Sequence, residues 1–238
     1  MGLPVTMTKK AQSSLVVTKA NSLIEASYKL SLNEQRLILA CTARLDGRKP
    51  LPKDNQFELT ADEFSDLFGV DMKNAYKEME DAANNLYERD IRKIDGMSKK
   101  RLRWVYSAEY VPGEGKVRLG FSPKIAPYLT LLHRQFTSYP IEDIAKLQSA
   151  YHVRLFEMLM QFQDTGLFII TLDDFRERLQ LEDKYTRFSN LKARIIEPAV
   201  KELNIKTPID VTWEAIRKGR VVQRLEFRFE EKVQRSLL

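Results

Sequence analysis

The chain has 238 residues, enough for one large domain or two of about 100 residues. Its net charge of +6 and pI of about 9.2 favour a polyanionic partner. Because no apolar run approaches the roughly 20 residues that span a bilayer and no signal peptide is evident, we expect a cytoplasmic protein without a membrane partner. The single cysteine, Cys41, excludes an internal disulfide and a cysteine-based zinc cluster, and its apolar neighbours predict that it is buried.

The charges are segregated along the chain. Residues 57–90 carry 10 acidic and 3 basic side chains, whereas residues 91–135 carry 10 basic and 3 acidic ones. Residues 184–235 carry 13 basic and 7 acidic side chains. This segregation is typical of a surface that binds a polyanion, although solvated basic faces would give the same pattern.

The chain begins with a polar, irregular segment, residues 1–18, that we predict to be a flexible tail. Helical periodicity starts near Ser22. Ser31, with Glu34 three residues later, then predicts a capping box at the start of a helix over residues 32–45.

One motif occurs twice. The sequence FELTADEF at residues 57–64 recurs as FIITLDDF at residues 168–175, so that two phenylalanines, a threonine and an acidic pair keep the same spacing. Each copy predicts a short strand followed by a helix that the threonine caps. An internal repeat of this kind predicts two similar structural units.

Similar elements follow both copies. After the first, we predict helices over residues 61–68 and 71–87 and strands over residues 91–94, 101–111 and 116–121, the last two joined by a turn at 112–115. A single long helix is predicted over residues 141–163. After the second copy, we predict helices over residues 172–179 and 189–204 and a hairpin of residues 209–213 and 221–229.

The order helix, helix, hairpin is the outline of a winged-helix DNA-binding domain, in which the second helix is the recognition helix. The fold class is therefore predicted to be α+β, with tandem winged-helix domains related by an internal repeat. We expect the first domain at residues 19–138 and the second at residues 139–238.

The sequence contains no recognisable catalytic motif. His133 and His152 are not spaced as a metal-binding pair, and neither a phosphate-binding P-loop nor a Gly-x-Ser-x-Gly motif is present. The acidic pairs Asp62-Glu63 and Asp173-Asp174 fall in the first turn of a helix, where carboxylates stabilise the helix dipole. We therefore predict no catalytic site, metal or cofactor; a nicking or phosphoryl-transfer enzyme is the disfavoured alternative.

The helix over residues 189–204 has an apolar stripe and a polar face. Its predicted DNA contacts are Arg187, Asn190, Lys192, Arg194 and Lys201. Arginine can bind guanine through two parallel hydrogen bonds, and asparagine can do the same with adenine. Pro198 removes a backbone donor and predicts a bend. The alternative is an amphipathic surface helix whose charges are solvated.

Further basic residues are predicted to contact DNA phosphates. In the second copy these are Arg217, Lys218 and Arg220 in the hairpin, the wing of the domain. In the first copy they are Lys73, Asn74 and Lys77 in the longer helix and Lys99, Lys100 and Arg101 at the start of a strand. Glu78, Glu80 and Asp81 would repel phosphates, so the second domain is predicted to contact bases and the first to assist or to bind another protein.

Three segments, residues 30–37, 131–139 and 188–207, resemble the iteron-binding initiators of plasmid replication. The likeness covers residues 15–231 and maps the family's base-contacting positions onto Lys192 and Arg194, with Ala193 where some relatives are basic. It implies a bacterial protein that binds repeated double-stranded DNA sites (iterons) at an origin and represses its own gene as a dimer, with the first domain serving in dimerisation. It also implies host partners, the replication initiator and the replicative helicase. A plain transcriptional repressor with the same domains is the alternative.

Overall fold

The computed structural model describes residues 15–52, 55–95, 98–111 and 113–232. The predicted tail over residues 1–18 is wrong at its end, because Val16–Ala20 (β1) is a strand that pairs antiparallel with Phe136–Pro140 (β8). The rest of that tail, up to residue 14, lies outside the described residues. The proposed domain boundary between residues 138 and 139 falls inside β8.

The first winged-helix unit consists of a three-stranded antiparallel sheet and two helices. Its elements are β3 (Gln56–Thr60), α3 (Ala61–Phe68), α4 (Met72–Tyr87), β6 (Val105–Val111) and β7 (Lys116–Phe121). The strand order is β3-β7-β6. One apolar face of α4, with Ala75, Met79 and Leu86, is buried, as its spacing predicts.

The second winged-helix unit repeats this arrangement. Its elements are β9 (Leu167–Thr171), α7 (Leu172–Arg178), a recognition helix, β10 (Ile209–Lys218) and β11 (Val221–Glu231). The strand order is β10-β11-β9, so that β9, β10 and β11 correspond to β3, β6 and β7 of the first unit. We define the recognition helix as α8 (Phe188–Leu191), a π-helical turn (Lys192–Ile196) and α9 (Glu197–Lys206).

The repeated motif forms the same strand and capped helix in both units. Thr60 Oγ1 accepts the Glu63 amide at 3.2 Å, and the Glu63 carboxylate accepts the Thr60 amide at 2.8 Å, which completes a capping box. In the second unit Thr171 Oγ1 accepts the Asp174 amide at 3.1 Å. The motif is therefore structural: it starts a helix and anchors it to the core.

The strands that follow α4 differ from the sequence prediction. The predicted strand over residues 101–111 is two strands, β5 (Ser98–Arg103) and β6, because the chain crosses at Trp104 from one sheet to another. β5 pairs with β4 (Asp90–Asp95), and β4 pairs with β2 (Ser27–Tyr28). Trp104 is fully buried and packs edge-on against Tyr28, with ring centroids 5.1 Å apart, so it fixes the crossing point.

The prediction of a single helix over residues 141–163 is also wrong. The structure has α5 (Glu142–Ala145) and α6 (Ala150–Met160), and Ser149 caps α6 by accepting the Tyr151 amide at 3.3 Å. The apolar spacing continues through the break because Leu147 is buried between the two helices. Hydrophobic periodicity alone therefore does not detect the break between α5 and α6.

The remaining elements are α1 (Asn21–Ile24) and α2 (Leu32–Thr42). Ser31 and Glu34 form the predicted capping box of α2, which ends three residues earlier than expected. Cys41 in α2 is buried, as predicted, and burial raises the pKa of its thiol to about 12.

Candidate nucleic-acid interface

The recognition helix buries one face and exposes its basic residues. The buried stripe matches the prediction and comprises Leu191, Ile195, Ile196, Ala199, Val200 and Leu203. The predicted DNA contacts are all exposed: Arg187, Asn190, Lys192, Arg194 and Lys201. The helix therefore presents a polar face to solvent while its apolar stripe fixes it on the domain core.

Pro198 affects the turn that precedes it. Proline has no amide hydrogen, so the usual donor to the carbonyl of Arg194 is missing. The helix widens here into a π-helical turn, in which the Glu197 amide donates to the carbonyl of Lys192, five residues earlier. The disturbance that the sequence predicts thus takes the form of a π turn containing Lys192 and Arg194.

The two central basic residues of this helix have different surroundings. The Lys192 amine lies 3.4 Å from Glu197 Oε1 and 5.9 Å from the ring centroid of Trp213. The Arg194 side chain, by contrast, makes no hydrogen bond or ion pair with any residue that the structure describes. Arg194 is therefore the better placed of the two for a direct contact with a base.

The wing of the second unit reaches the start of the recognition helix. β10 and β11 are joined by the two-residue loop Gly219-Arg220, in which Gly219 has φ +63°. A shift of register between Ile216 and Arg217 leaves Gln223 of β11 without a partner, which marks a bulge in β11. The Arg217 guanidinium lies 5.9 Å from the ring centroid of Phe188, the first residue of α8.

Arg217, Lys218 and Arg220 are exposed, as predicted, above the buried side chains of Val222 and Leu225. None of the three forms an ion pair with a carboxylate in the described part of the chain. The structure thus brings the wing and the start of the recognition helix together into one basic surface, which we call the second-unit basic surface.

The corresponding helix of the first unit is basic only at its start. Lys73, Asn74 and Lys77 on α4 are exposed. Glu80 and Asp81 are exposed further along, and Glu78 accepts a hydrogen bond from Asn33 at 2.9 Å. Only the first turns of α4 therefore have the charge to meet a phosphate backbone.

The cations of the first wing, the β6–β7 hairpin, are neutralised by carboxylates on the same three-stranded sheet and on the β6–β7 turn, a feature that the sequence did not reveal. Lys116 lies 2.5 Å from Glu114 and 3.4 Å from Glu58, and Arg118 lies 2.5 Å from Glu58 and 3.4 Å from Glu109. The hydrogen bond from Arg118, together with both positive charges, lowers the pKa of Glu58. These cations are therefore less available to phosphates than those of the second wing.

Lys99, Lys100 and Arg101 lie on β5, outside the β6–β7 wing. They belong to a basic hairpin, β4–β5, that the second unit lacks between its recognition helix and its wing. Arg101 is paired with Asp90, and Arg103 lies 3.3 Å from the same carboxylate. These residues are thus separate from the second-unit basic surface.

The described residues hold neither a metal-binding cluster nor a membrane-spanning helix. Among the described residues, no group of three or more His, Cys, Asp or Glu side chains is arranged to hold a metal ion. No helix in the described ranges is long and apolar enough to cross a membrane.

Two winged-helix units in tandem define the class of protein. A family model described as "Initiator Replication protein, WH1" matches residues 16–160. A second, described as "Initiator Rep protein, WH2", matches residues 171–229. The chain therefore belongs to the family of initiator replication proteins, as the sequence resemblance predicted.

Individual relatives support this assignment. A replication initiation protein of Escherichia coli is 28% identical over 227 residues, covering 92% of this chain and 70% of that protein. The PI protein of Escherichia coli is 24% identical over 245 residues, covering 88% of this chain and 80% of its own length. A crystal structure of the Pi initiator protein in complex with iteron DNA has a TM-score of 0.80 and 22% identity, covering 92% of this chain and 98% of that one. This last likeness confirms the tandem winged-helix fold.

Proposed function

We propose that this protein initiates plasmid replication by binding repeated double-stranded sites, iterons, at the origin. One observation carries the proposal: Arg217 of the wing, which forms no ion pair with a carboxylate in the described structure, lies 5.9 Å from the ring centroid of Phe188 at the start of the recognition helix. A helix flanked by a basic hairpin fits a major groove and the adjacent backbone. The solved complex of the Pi initiator protein with iteron DNA supports the choice of ligand.

The two domains, residues 19–138 and 139–238, have unequal roles in this proposal. In the second, Asn190 and Arg194 contact bases, and Lys192 and Arg187 lie at the edge of the same contact. Lys201 and the wing residues Arg217, Lys218 and Arg220 contact phosphates. In the first, Lys73, Asn74, Lys77 and the β5 residues Lys99, Lys100 and Arg101 give auxiliary contacts.

Further parts of the proposal come from the family resemblance. The protein acts in the bacterial cytoplasm without enzymatic activity. It represses its own gene as a dimer through the first domain, and it binds the host replication initiator and the replicative helicase. A transcriptional repressor without initiator activity is the second candidate, since the same basic surface would serve a repressor equally well.

The DNA site is identified by selecting duplexes from a random library with the whole protein. A recovered consensus is then compared with the DNA beside the gene. We expect direct repeats of the consensus there; recovery of no consensus at all would contradict sequence-specific binding.

A replication assay separates the two candidates. A circular reporter without an origin of its own is given the direct repeats and tested with and without the protein. If the reporter is maintained only when both the protein and the repeats are present, the protein initiates replication. Repression of the gene's promoter without any such maintenance supports the repressor instead.

A further inference from the structure

An apolar groove runs between two loops beside the β1–β8 sheet. One wall is residues 43–51, which follow α2, and the other is residues 126–138, which lead into β8. One end of the groove has a volume of about 370 Å³ and the other about 350 Å³. Apolar side chains line both ends: Leu45 and Leu132 at the first, and Leu51 and Pro127 at the second. Because the two ends share the same two walls, they form one continuous feature, which we call the first-unit groove.

Three large apolar side chains are exposed along this groove. Val16 is 41% exposed, Leu131 53% and Phe136 43%. Val16 and Phe136 line one end and lie on the outer face of the β1–β8 sheet, whereas Leu131 lines the other end. Large apolar side chains that gather along one groove are typical of a surface that binds another molecule, whereas scattered ones are ordinary.

The backbone holds Leu131 in its exposed position. Its φ is +55°, in the left-handed region that bulky residues avoid. Thr130 and Leu132 on either side are buried, and the Leu132 amide donates to the carbonyl of Gly47 on the opposite wall at 2.8 Å. Strain of this kind persists only where the surrounding structure imposes it, and it is concentrated at functional sites. The exposure of Leu131 is therefore imposed by its buried neighbours.

The walls of the groove have an excess of positive charge. They contain four arginine or lysine residues and a single carboxylate, Asp46. Arg48 and Lys49 share this carboxylate, at 3.2 and 3.5 Å, and both side chains are more than three-quarters exposed. Arg134 is exposed and has no ion pair with a carboxylate in the described ranges. A ligand that covers the apolar side chains and has carboxylates at its edges would therefore match both the shape and the charge of the groove.

We propose that the first-unit groove binds an acidic amphipathic helix of a partner protein. Such a helix inserts apolar side chains spaced three and four residues apart into a groove, while its acidic flanks face the cations of the walls. DNA fits less well, because a phosphate backbone would leave the three apolar side chains uncovered. A second copy also fits less well, because the acidic helix of this chain, α4, buries its apolar face in its own unit. The inference goes beyond the proposed function and does not depend on DNA binding.

The test selects peptides from a displayed library on the whole protein. Each peptide has about 15 residues, enough for a helix, with leucines at helical spacing and glutamate, lysine or glutamine at random between them. Peptides that also bind the double variant Leu131→Asn with Phe136→Thr are discarded. Asparagine accepts a positive φ and threonine suits a strand, so neither change should strain the fold. We expect the recovered peptides to be rich in glutamate.

The affinity of the consensus peptide is then measured by fluorescence anisotropy at about 0.1 M salt. The double variant should bind it at least about tenfold more weakly, because two apolar side chains are no longer covered. Arg134→Gln should weaken binding about two- to fivefold, and the loss should shrink at higher salt. Ile169→Thr is the matched control: Ile169 is 44% exposed on β9 of the second unit, and its replacement should leave the affinity unchanged.

Three results would overturn the inference. The first is recovery of lysine-rich peptides, or of none that distinguishes the wild type from the double variant. The second is a wild-type dimer in sedimentation equilibrium that the double variant abolishes, since a second copy would then cover the groove. The third is a loss of duplex affinity in the double variant, which would assign the groove to DNA. Thermal unfolding of each variant checks that its fold is intact.

Discussion

The Lys19 amine lies 2.6 Å from Glu157 Oε1, and both side chains are almost completely buried. Glu157 also accepts the Tyr139 hydroxyl at 2.6 Å, and Arg154 is bound to the Tyr28 hydroxyl. Burial raises the pKa of Glu157, but the charges of Lys19 and Arg154 and the hydrogen bonds outweigh it and lower that pKa. This network joins β1, β2 and β8 to α6, the helix that leads into the second unit.

Glu157→Gln should therefore destabilise the fold strongly. The substitution leaves Lys19 buried without its counter-charge, and removing one partner of a buried pair costs about 3–5 kcal/mol. Urea unfolding at pH 7 measures the loss in the free energy of unfolding. Glu182→Gln, at an exposed position, should stay within about 0.5 kcal/mol of the wild type.

The same variant makes a prediction about pH. Because the folded pKa of Glu157 is below its ordinary value of 4.5, its charge stabilises the fold above pH 4.5, and this contribution is lost as the pH falls through the folded pKa. The stability difference between wild type and Glu157→Gln should narrow on acidification below pH 4.5. A difference that grows on acidification would contradict the assignment.

Gly115→Ala should disrupt the contact between the first wing and α4. Gly115 has φ +57°, and an added Cβ would collide with the ring of Tyr76. Gly113 in the same turn has φ +82° but open space around it. Gly113→Ala should therefore cost only backbone strain, roughly 1 kcal/mol, and Gly115→Ala more. Equal losses of unfolding free energy would show that the Tyr76 contact contributes nothing.

Arg194→Ala should weaken binding to the selected duplex by about 1–3 kcal/mol and relax the preference at one base pair. Its side chain has no partner in the described structure and projects from the exposed face of the π turn. Arg220→Ala, at the tip of the wing, should lower affinity without changing base preference. Titration of duplexes with single base-pair changes distinguishes the two; unchanged discrimination by Arg194→Ala would reject its base contact.

Local chemistry made much of this fold predictable from sequence. The threonine caps and the apolar stripe of the recognition helix depend on neighbours a few residues apart, and each occurs as predicted. The basic residues of the second wing, Arg217, Lys218 and Arg220, are exposed because they lie at the end of the hairpin, where residues 216–221 are all exposed.

Features that depend on distant residues were not predictable. The ion pairs of the first wing join Glu58 on β3 to Lys116 and Arg118 on β7, and composition had shown only a basic strand. The crossing of the chain at Trp104 depends on β2, a strand of two residues.

The second unit should supply more of the affinity for DNA than the first, because its wing has unpaired cations. The most direct measurement compares the salt dependence of binding for two double variants: Lys218→Gln with Arg220→Gln, and Lys116→Gln with Arg118→Gln. The second-wing variant should lose up to about two units of slope, close to one for each lost phosphate contact. The first-wing variant should lose much less, since Glu58, Glu109 and Glu114 already neutralise its cations. If the first-wing variant lost as much slope as the second-wing variant, or more, the second unit would not be the main source of affinity.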